Sequence, residues 1–141
     1  MIGEILFEGM GKSNGPGFIK SIGMEGVTSI YTWSVDLKGM GKAMGANGNL
    51  SVTAKSMTPP KGIAWAKDQG IFRSMTGEMA VVKGVDLMKM TMGTNPMSVG
   101  LWTFMTMSEK WMWLNDTIAL VTFEAMDPMW MQFKVTIHEW K

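Results

Sequence analysis

The sequence predicts an all-β fold, an eight-stranded antiparallel up-and-down barrel, and three observations support this prediction. Large apolar side chains recur at every second position, with polar residues between them, as in strands that have one buried and one wet face. Short turn signals separate these segments, and glycines fall within them, where a barrel needs bends and bulges. Closure would also remove the two edges that an open sheet this apolar would expose. The alternative fold is a β-sandwich.

The strands are predicted from the alternation in chain order. They cover residues 2–11, 27–38, 49–55, 62–74, 79–87, 98–107, 117–125 and 131–138. The last is the most regular, since Phe133, Val135 and Ile137 alternate with polar residues. Turn signals lie at residues 14–17, 47–48, 59–60, 76–77, 95–96, 115–116 and 127–128. Asn47 and Gly48 predict a type I′ hairpin, which requires two positive φ values.

Composition limits the classes of function. A chain of 141 residues has the size of a single domain, which we assign to residues 1–141. The formal net charge of +1 gives no general field for nucleic acid or for an anionic membrane. No apolar run reaches the ~20 residues of a membrane-spanning helix. The absence of cysteine fits a reducing cytoplasm, and Glu4 and Glu8 near the start argue against a signal peptide, so we expect a cytoplasmic protein.

Short features in the second half of the chain resemble a known group of proteins. They are Gly62, the run 68–71, the turn 76–78, Leu114 with Asn115, Phe123 with Glu124, and the closing residues 139–141. With them, residues 60–141, and more faintly 3–12, resemble a family of uncharacterised small single-domain prokaryotic proteins with an allene oxide cyclase-like, dirigent-like β-barrel. The many methionines depart from the expected pattern of that family.

The resemblance implies an eight-stranded antiparallel barrel. Better-known proteins with this barrel include plant cyclases and dirigent proteins, which are usually oligomeric and act on hydrophobic small molecules. No cyclase active-site residue aligns with this chain, so the resemblance implies no activity and no catalytic residue.

Six residues are candidates for binding a ligand inside the barrel: Trp33, Trp102, Phe104, Lys83, Arg73 and Glu124. Aromatic residues are enriched in apolar pockets and at subunit interfaces. If Ile118 faces inward, strand alternation brings Glu124 to the same side, and Lys83 would join a buried apolar row in the same way. A buried ion pair between such groups is the alternative to a ligand site. Arg73, the sole arginine, would either anchor a ligand carboxylate or cap a sheet edge.

The eighteen methionines raise a different possibility, a soft-metal site. Met88, Met90 and Met92 lie at strand spacing, as do residues 105 with 107 and 129 with 131, so their thioethers could gather around Cu(I). Packing or interface formation is the favoured interpretation, because copper carriers usually add cysteine or histidine, and His138 is the only histidine. We predict no metal, no cofactor and no catalytic residue.

The function predicted from the sequence is non-catalytic. The protein would bind a hydrophobic small molecule or act as a homo-oligomeric assembly module, because its aromatic and methionine content exceeds the needs of one small core. The alternatives are an isomerase or cyclase acting on a hydrophobic substrate in the lumen, and Cu(I) binding. The expected partners are further copies of the chain and a hydrophobic small molecule, with no nucleic acid.

Overall fold

A computed structural model describes residues 1–15, 17–89 and 96–141. Within them it contains nine strands and two short 3₁₀ helices. The strands are β1 (Ile2–Ser13), β2 (Phe18–Gly23), β3 (Gly26–Gly39), β4 (Gly48–Thr58), β5 (Ile63–Ser74), β6 (Met79–Lys89), β7 (Met97–Thr106), β8 (Ile118–Ala125) and β9 (Gln132–Trp140). The 3₁₀ helices are Gly41–Ala43 and Glu109–Asp116.

Eight of the strands form a closed antiparallel barrel, which confirms the predicted fold class. The order is β1-β9-β8-β7-β6-β5-β4-β3, and pairing of β1 with β3 closes the ring. Each strand of the ring pairs with its neighbour along the chain, except where β1 pairs with both β3 and β9. All eight predicted strands are present, with ends within about three residues of the prediction.

Strand β2 lies outside the ring and was missed by the sequence analysis. It pairs only with the first part of β3, from Phe18 opposite Ile30 to Gly23 opposite Gly26, and every residue in it is exposed. Phe18, Ile19 and Ile22 do not alternate strictly, so the two-residue period gives no signal here. The β2–β3 hairpin therefore extends beyond the barrel wall.

The predicted type I′ hairpin at Asn47 and Gly48 is wrong. The connection between β3 and β4 is longer and includes the 3₁₀ helix Gly41–Ala43, and its positive φ values fall at Gly41 and Gly45. Asn47 has a different role, since its Oδ1 accepts a hydrogen bond from the Gly39 amide at 3.0 Å. The loop is thus closed by a side chain rather than by a two-residue turn.

One end of the barrel interior is filled. Phe7 packs edge-on against Phe72 with ring centroids 5.6 Å apart. Leu114 reaches this end from the 3₁₀ helix Glu109–Asp116. The void left among these side chains is only about 10 Å³, so nothing larger than a water molecule fits there.

A layer of aromatic rings crosses the middle of the barrel. Trp33 on β3 meets Phe123, Phe133 and Trp102 at centroid distances of 5.5, 5.4 and 6.0 Å. Aromatic pairs at these separations add stability beyond the area that they bury. This layer separates the filled end from the opposite end. Among the described residues, no helix has the length and apolar character needed to cross a membrane.

Candidate functional site

The end of the barrel beyond the aromatic layer contains a cavity of about 570 Å³. Trp33, Phe123 and Phe133 form its floor, and Tyr31 and Met88 are on its walls. Serine hydroxyls on β3, β4 and β7 supply scattered polar contacts. The volume and the mainly apolar lining match sites that take small organic molecules.

The connection between β8 and β9 forms part of the cavity mouth and is held in place by Asp127. The carboxylate of Asp127 accepts hydrogen bonds from the amides of Met129, Met131 and Gln132 at 2.9–3.1 Å. These bonds favour the ionised form and lower the pKa of Asp127. Trp130 in the same loop has a φ of +57°, which is uncommon for a residue with a side chain, and its ring lies 5.9 Å from that of Phe133.

Asp86 places a carboxyl group in the wall of this cavity. It lies on β6, opposite Ala66 on β5 and Gly100 on β7, and is 8% exposed. Its Oδ1 accepts a hydrogen bond of 3.0 Å from the indole Nε1 of Trp102. Burial raises the pKa of Asp86 to about 7, although the bond from Trp102 acts in the opposite direction. The group can therefore change its charge near neutral pH.

Gly100 makes room for this carboxyl group. A Cβ atom at position 100 would lie 1.9 Å from Asp86 Oδ1, which is far inside contact distance. Gly84 has the same relation to Trp102, since a Cβ there would lie 2.0 Å from the indole Cδ1. Two glycines on neighbouring strands thus allow the Asp86–Trp102 pair to fit against the wall.

Two further ionisable groups face the interior near Asp86. Tyr31 on β3 lines the cavity, and burial, together with the negative charge of Asp86, raises the pKa of its phenol to about 12. Asp68 on β5 is opposite Gly84 on β6 and is 4% exposed. Neither of its carboxyl oxygens has a hydrogen-bond partner among the described residues. A buried carboxyl group without a partner is costly, so its presence in the barrel wall calls for an explanation.

The three aromatic candidates from the sequence all face the interior, at different depths. Trp33 lines the cavity. Trp102 is fully buried and does not line the cavity, but its indole donates a hydrogen bond to Asp86, which does. Phe104, half-buried, lies at the filled end of the barrel beside Leu114. Of the three, only Trp33 lies where it would touch a molecule in the cavity.

The three charged candidates do not face the lumen, which corrects the sequence-based expectation. Lys83, Arg73 and Glu124 are all exposed on the outer face of the barrel. In β8 the inward row is Ala119, Val121, Phe123 and Ala125, and Ile118 points outward. The expectation failed because both faces of these strands carry apolar side chains, so alternation gives the period but not which face is buried.

The hypothesis of a methionine metal site stays a hypothesis, because some of its residues lie outside the described chain. Met88 lines the cavity, whereas Met90 and Met92 lie outside the described part of the chain. Met105 and Met129 are exposed. No group of three or more histidine, cysteine, aspartate or glutamate side chains suited to a metal ion occurs in residues 1–15, 17–89 and 96–141.

Asp86 and Tyr31 are the residues of this site that sequence reasoning missed. The sequence analysis expected Lys83 to join the buried row of β6, and strand alternation then puts Asp86 on the wet face. A usable signal existed in the small residues Ala80 and Gly84, which share its row. Small residues on a strand leave space for large side chains such as Trp102 inside a narrow barrel.

Comparison with known proteins supports the fold. No protein-family model and no curated protein matches this sequence. Among solved structures, a protein of unknown function from Clostridium acetobutylicum ATCC 824 aligns with a TM-score of 0.83 at 12% identity, covering 98% of each chain. A β-barrel-like protein from Acinetobacter baumannii AYE aligns with a TM-score of 0.82 at 15% identity, covering 100% of this chain and 96% of the other.

A third similar structure is described as an enzyme from Penicillium herquei. It aligns with a TM-score of 0.70 at 19% identity, covering 97% of this chain and 92% of that one. At these identities the alignments concern architecture alone, and the allene oxide cyclase-like family suggested by the sequence stays a prediction. The chain has the β-barrel fold that these small proteins share over nearly their whole lengths.

Proposed function

We propose that the protein binds a hydrophobic small molecule in the open end of its barrel. The observation that carries this proposal is the cavity of about 570 Å³ above the Trp33 layer, in a barrel whose other end is filled. Its floor is aromatic and its walls are mainly apolar, with hydroxyl groups and the Asp86 carboxyl group placed among them, which is the usual composition of a site for small organic ligands.

A dye that is neutral and emits strongly only in apolar surroundings, N-phenylnaphthylamine, tests this proposal. We expect saturable emission with the native protein. Ser56→Phe places a ring in the cavity wall and should weaken binding at least several-fold, because the half-buried Ser56 side chain lines the cavity. Thr53→Phe on the exposed face of the same strand is the matched control and should leave the affinity unchanged. Equal affinity in both variants would contradict the proposal.

We also propose that the protein is a homo-oligomer that buries the outer face of β6 and β7. We call this surface the apolar outer face; it comprises Val81, Val85, Leu87, Val99, Leu101 and Met105. Cross-strand neighbours join most of it, since Val85 pairs with Leu101 and Leu87 with Val99. The exposed Lys83, which pairs with Thr103, separates these residues from Val81 and Met105. The occupant that fits it is the same face of a second copy, because a two-fold interface is self-complementary.

The size of this face supports a contact between subunits. With exposed Trp65 and Ile118 at its edges it spans four strands, roughly 14 Å across, and about 20 Å along β7. Including the polar Lys83–Thr103 pair, this face covers about 300 Å², and apolar patches near this size often mark an interface. It would form the centre of the roughly 800 Å² per partner that a stable interface buries.

Light scattering and native mass spectrometry test the assembly. We expect the native chain to be a dimer or larger at micromolar concentration, and Leu101→Lys to shift it to monomer, since that substitution puts a charge at the centre of the face. Thr53→Lys, on an exposed strand surface away from this face, should not change the mass. A monomeric native protein would refute the proposed interface.

Proton transfer on a bound substrate is a second candidate function, favoured by one observation. Asp86 combines access to the cavity with a pKa raised to about 7, which suits a general base at neutral pH. Ring opening of a neutral nitrobenzisoxazole, a general probe of base catalysis, should then follow the ionisation of Asp86 and be lost in Asp86→Asn. The same rate in both proteins would count against catalysis by this carboxylate.

A further inference from the structure

The charges inside the cavity are of one sign. Asp86 is the only lining residue, in the described part of the chain, with a carboxylate, and lysine, arginine and histidine are absent from that lining. The sequence at positions 16 and 90–95 also contains no basic residue. Asp68 adds a second buried carboxyl group one strand away, with both oxygens unpartnered. A molecule that enters therefore meets the carboxyl group of Asp86 and no cation among the described lining residues.

Asp86 retains capacity to accept a hydrogen bond. Trp102 bonds to Oδ1, and no described residue donates to Oδ2. A carboxylate has about four acceptor sites, so a single indole donor leaves most of them unused. An ammonium group carries three N–H donors and a positive charge, which together would satisfy this oxygen and offset the loss of hydration.

The aromatic walls also favour a positively charged ligand. The rings of Trp33, Tyr31 and Trp130 line the same cavity as Asp86. The faces of such rings attract cations through their quadrupole, and more strongly where water is excluded. A carboxylate ligand gains no attraction from the ring faces or from an acidic group, so this combination favours a cation over an anion.

We propose that the cavity selects hydrophobic amines, with the ammonium group paired to Asp86 and the apolar body packed on the Trp33 layer. This inference rests on the proposed function, because it names the class of ligand for the same cavity. The hydrogen bonds to a charged group should give the amine an advantage on the order of 10- to 100-fold over a neutral ligand of the same shape.

Calorimetric titration with tryptamine, tryptophol and indoleacetate at pH 8 tests the inference. These probes share an indole body and differ in the charge of the side chain. We expect tryptamine to bind on the order of 10- to 100-fold more tightly than tryptophol, and indoleacetate to bind most weakly. Asp86→Asn should remove the advantage of tryptamine and leave tryptophol unchanged. Glu124→Gln, which removes one negative charge from the outer face, should preserve it.

The pH profile provides a second readout on the native protein. The titratable groups that face Asp86 are Tyr31 from β3 and Asp68 from β5, while β7 contributes the Trp102 donor. Tryptamine affinity should fall as the pH is lowered from 8 to 5 and the carboxylate takes up a proton, with tryptophol unaffected. If tryptophol binds and tryptamine is no better, the selection for amines is refuted while the proposed function stands. If neither binds, the proposed function itself fails.

Discussion

The stability of the protein should depend on pH through Asp86. Its pKa is raised from 3.8 to about 7 in the folded state, so the folded protein holds a proton that the unfolded chain has already released in this range. The free energy of unfolding should therefore fall as the pH rises from about 4 to about 7 and level off above. At about 1.4 kcal/mol per pKa unit, the full effect is on the order of 4 kcal/mol.

Asp86→Asn isolates this contribution. The amide oxygen can still accept the bond from Trp102 Nε1, and the side chain has nearly the same shape but cannot ionise. The variant should match the native protein near pH 4 and exceed its unfolding free energy by about 1.4 kcal/mol per pH unit up to pH 7.

Urea denaturation followed by tryptophan fluorescence at pH 4, 5, 6, 7 and 8 measures this difference. The seven tryptophans, two of them in the aromatic layer, provide the signal. A difference between the two proteins that stays constant from pH 4 to pH 8 would refute the assignment of Asp86 as a buried, proton-retaining group.

Three further predictions concern the wall of the site, a turn and the outer surface. Gly100→Ala should lower the free energy of unfolding by roughly 1–3 kcal/mol in urea denaturation, because the new Cβ would overlap Asp86 Oδ1. The same substitution should cost much less in an Asp86→Ala background, and equal costs in the two backgrounds would contradict this contact. Hydrogen bonds from Ser74 and Thr76 lower the pKa of Glu78 to about 2. NMR titration should therefore measure a Glu78 pKa of about 2 in the native protein and a higher Glu78 pKa in Ser74→Ala. Lys83→Ala and Arg73→Ala should leave the affinity for N-phenylnaphthylamine unchanged, and weaker binding would restore them as ligand contacts.

The strands could be predicted because most of them keep a strict two-residue period. In β9, Phe133, Val135 and Ile137 are buried and Gln132 and Lys134 are exposed, as the pattern requires. Closure of the barrel followed from the number of strands and the short turns. Strand β2 could not be found this way, because all of its residues are exposed and no buried face produces an alternating pattern.

The site was harder to predict than the fold, because the alternation of side chains along a strand does not tell which of its two faces points into the barrel. In β6 the large residues Val85 and Leu87 point outward, and the inward row is Ala80, Val82, Gly84 and Asp86. A narrow barrel whose centre holds Trp33 and Trp102 needs small residues opposite them. The position of the buried carboxyl group depends on how large and small side chains of neighbouring strands fit together. The sequence of a single strand does not display this fit.

A crystal structure of the protein with tryptamine tests the central claim most directly. We expect the indole to lie on the Trp33 layer inside the barrel, with the amine nitrogen within hydrogen-bond distance of Asp86 Oδ2. An empty cavity with tryptamine bound on the outer face, or an indole inside with its amine directed away from Asp86, would contradict the account.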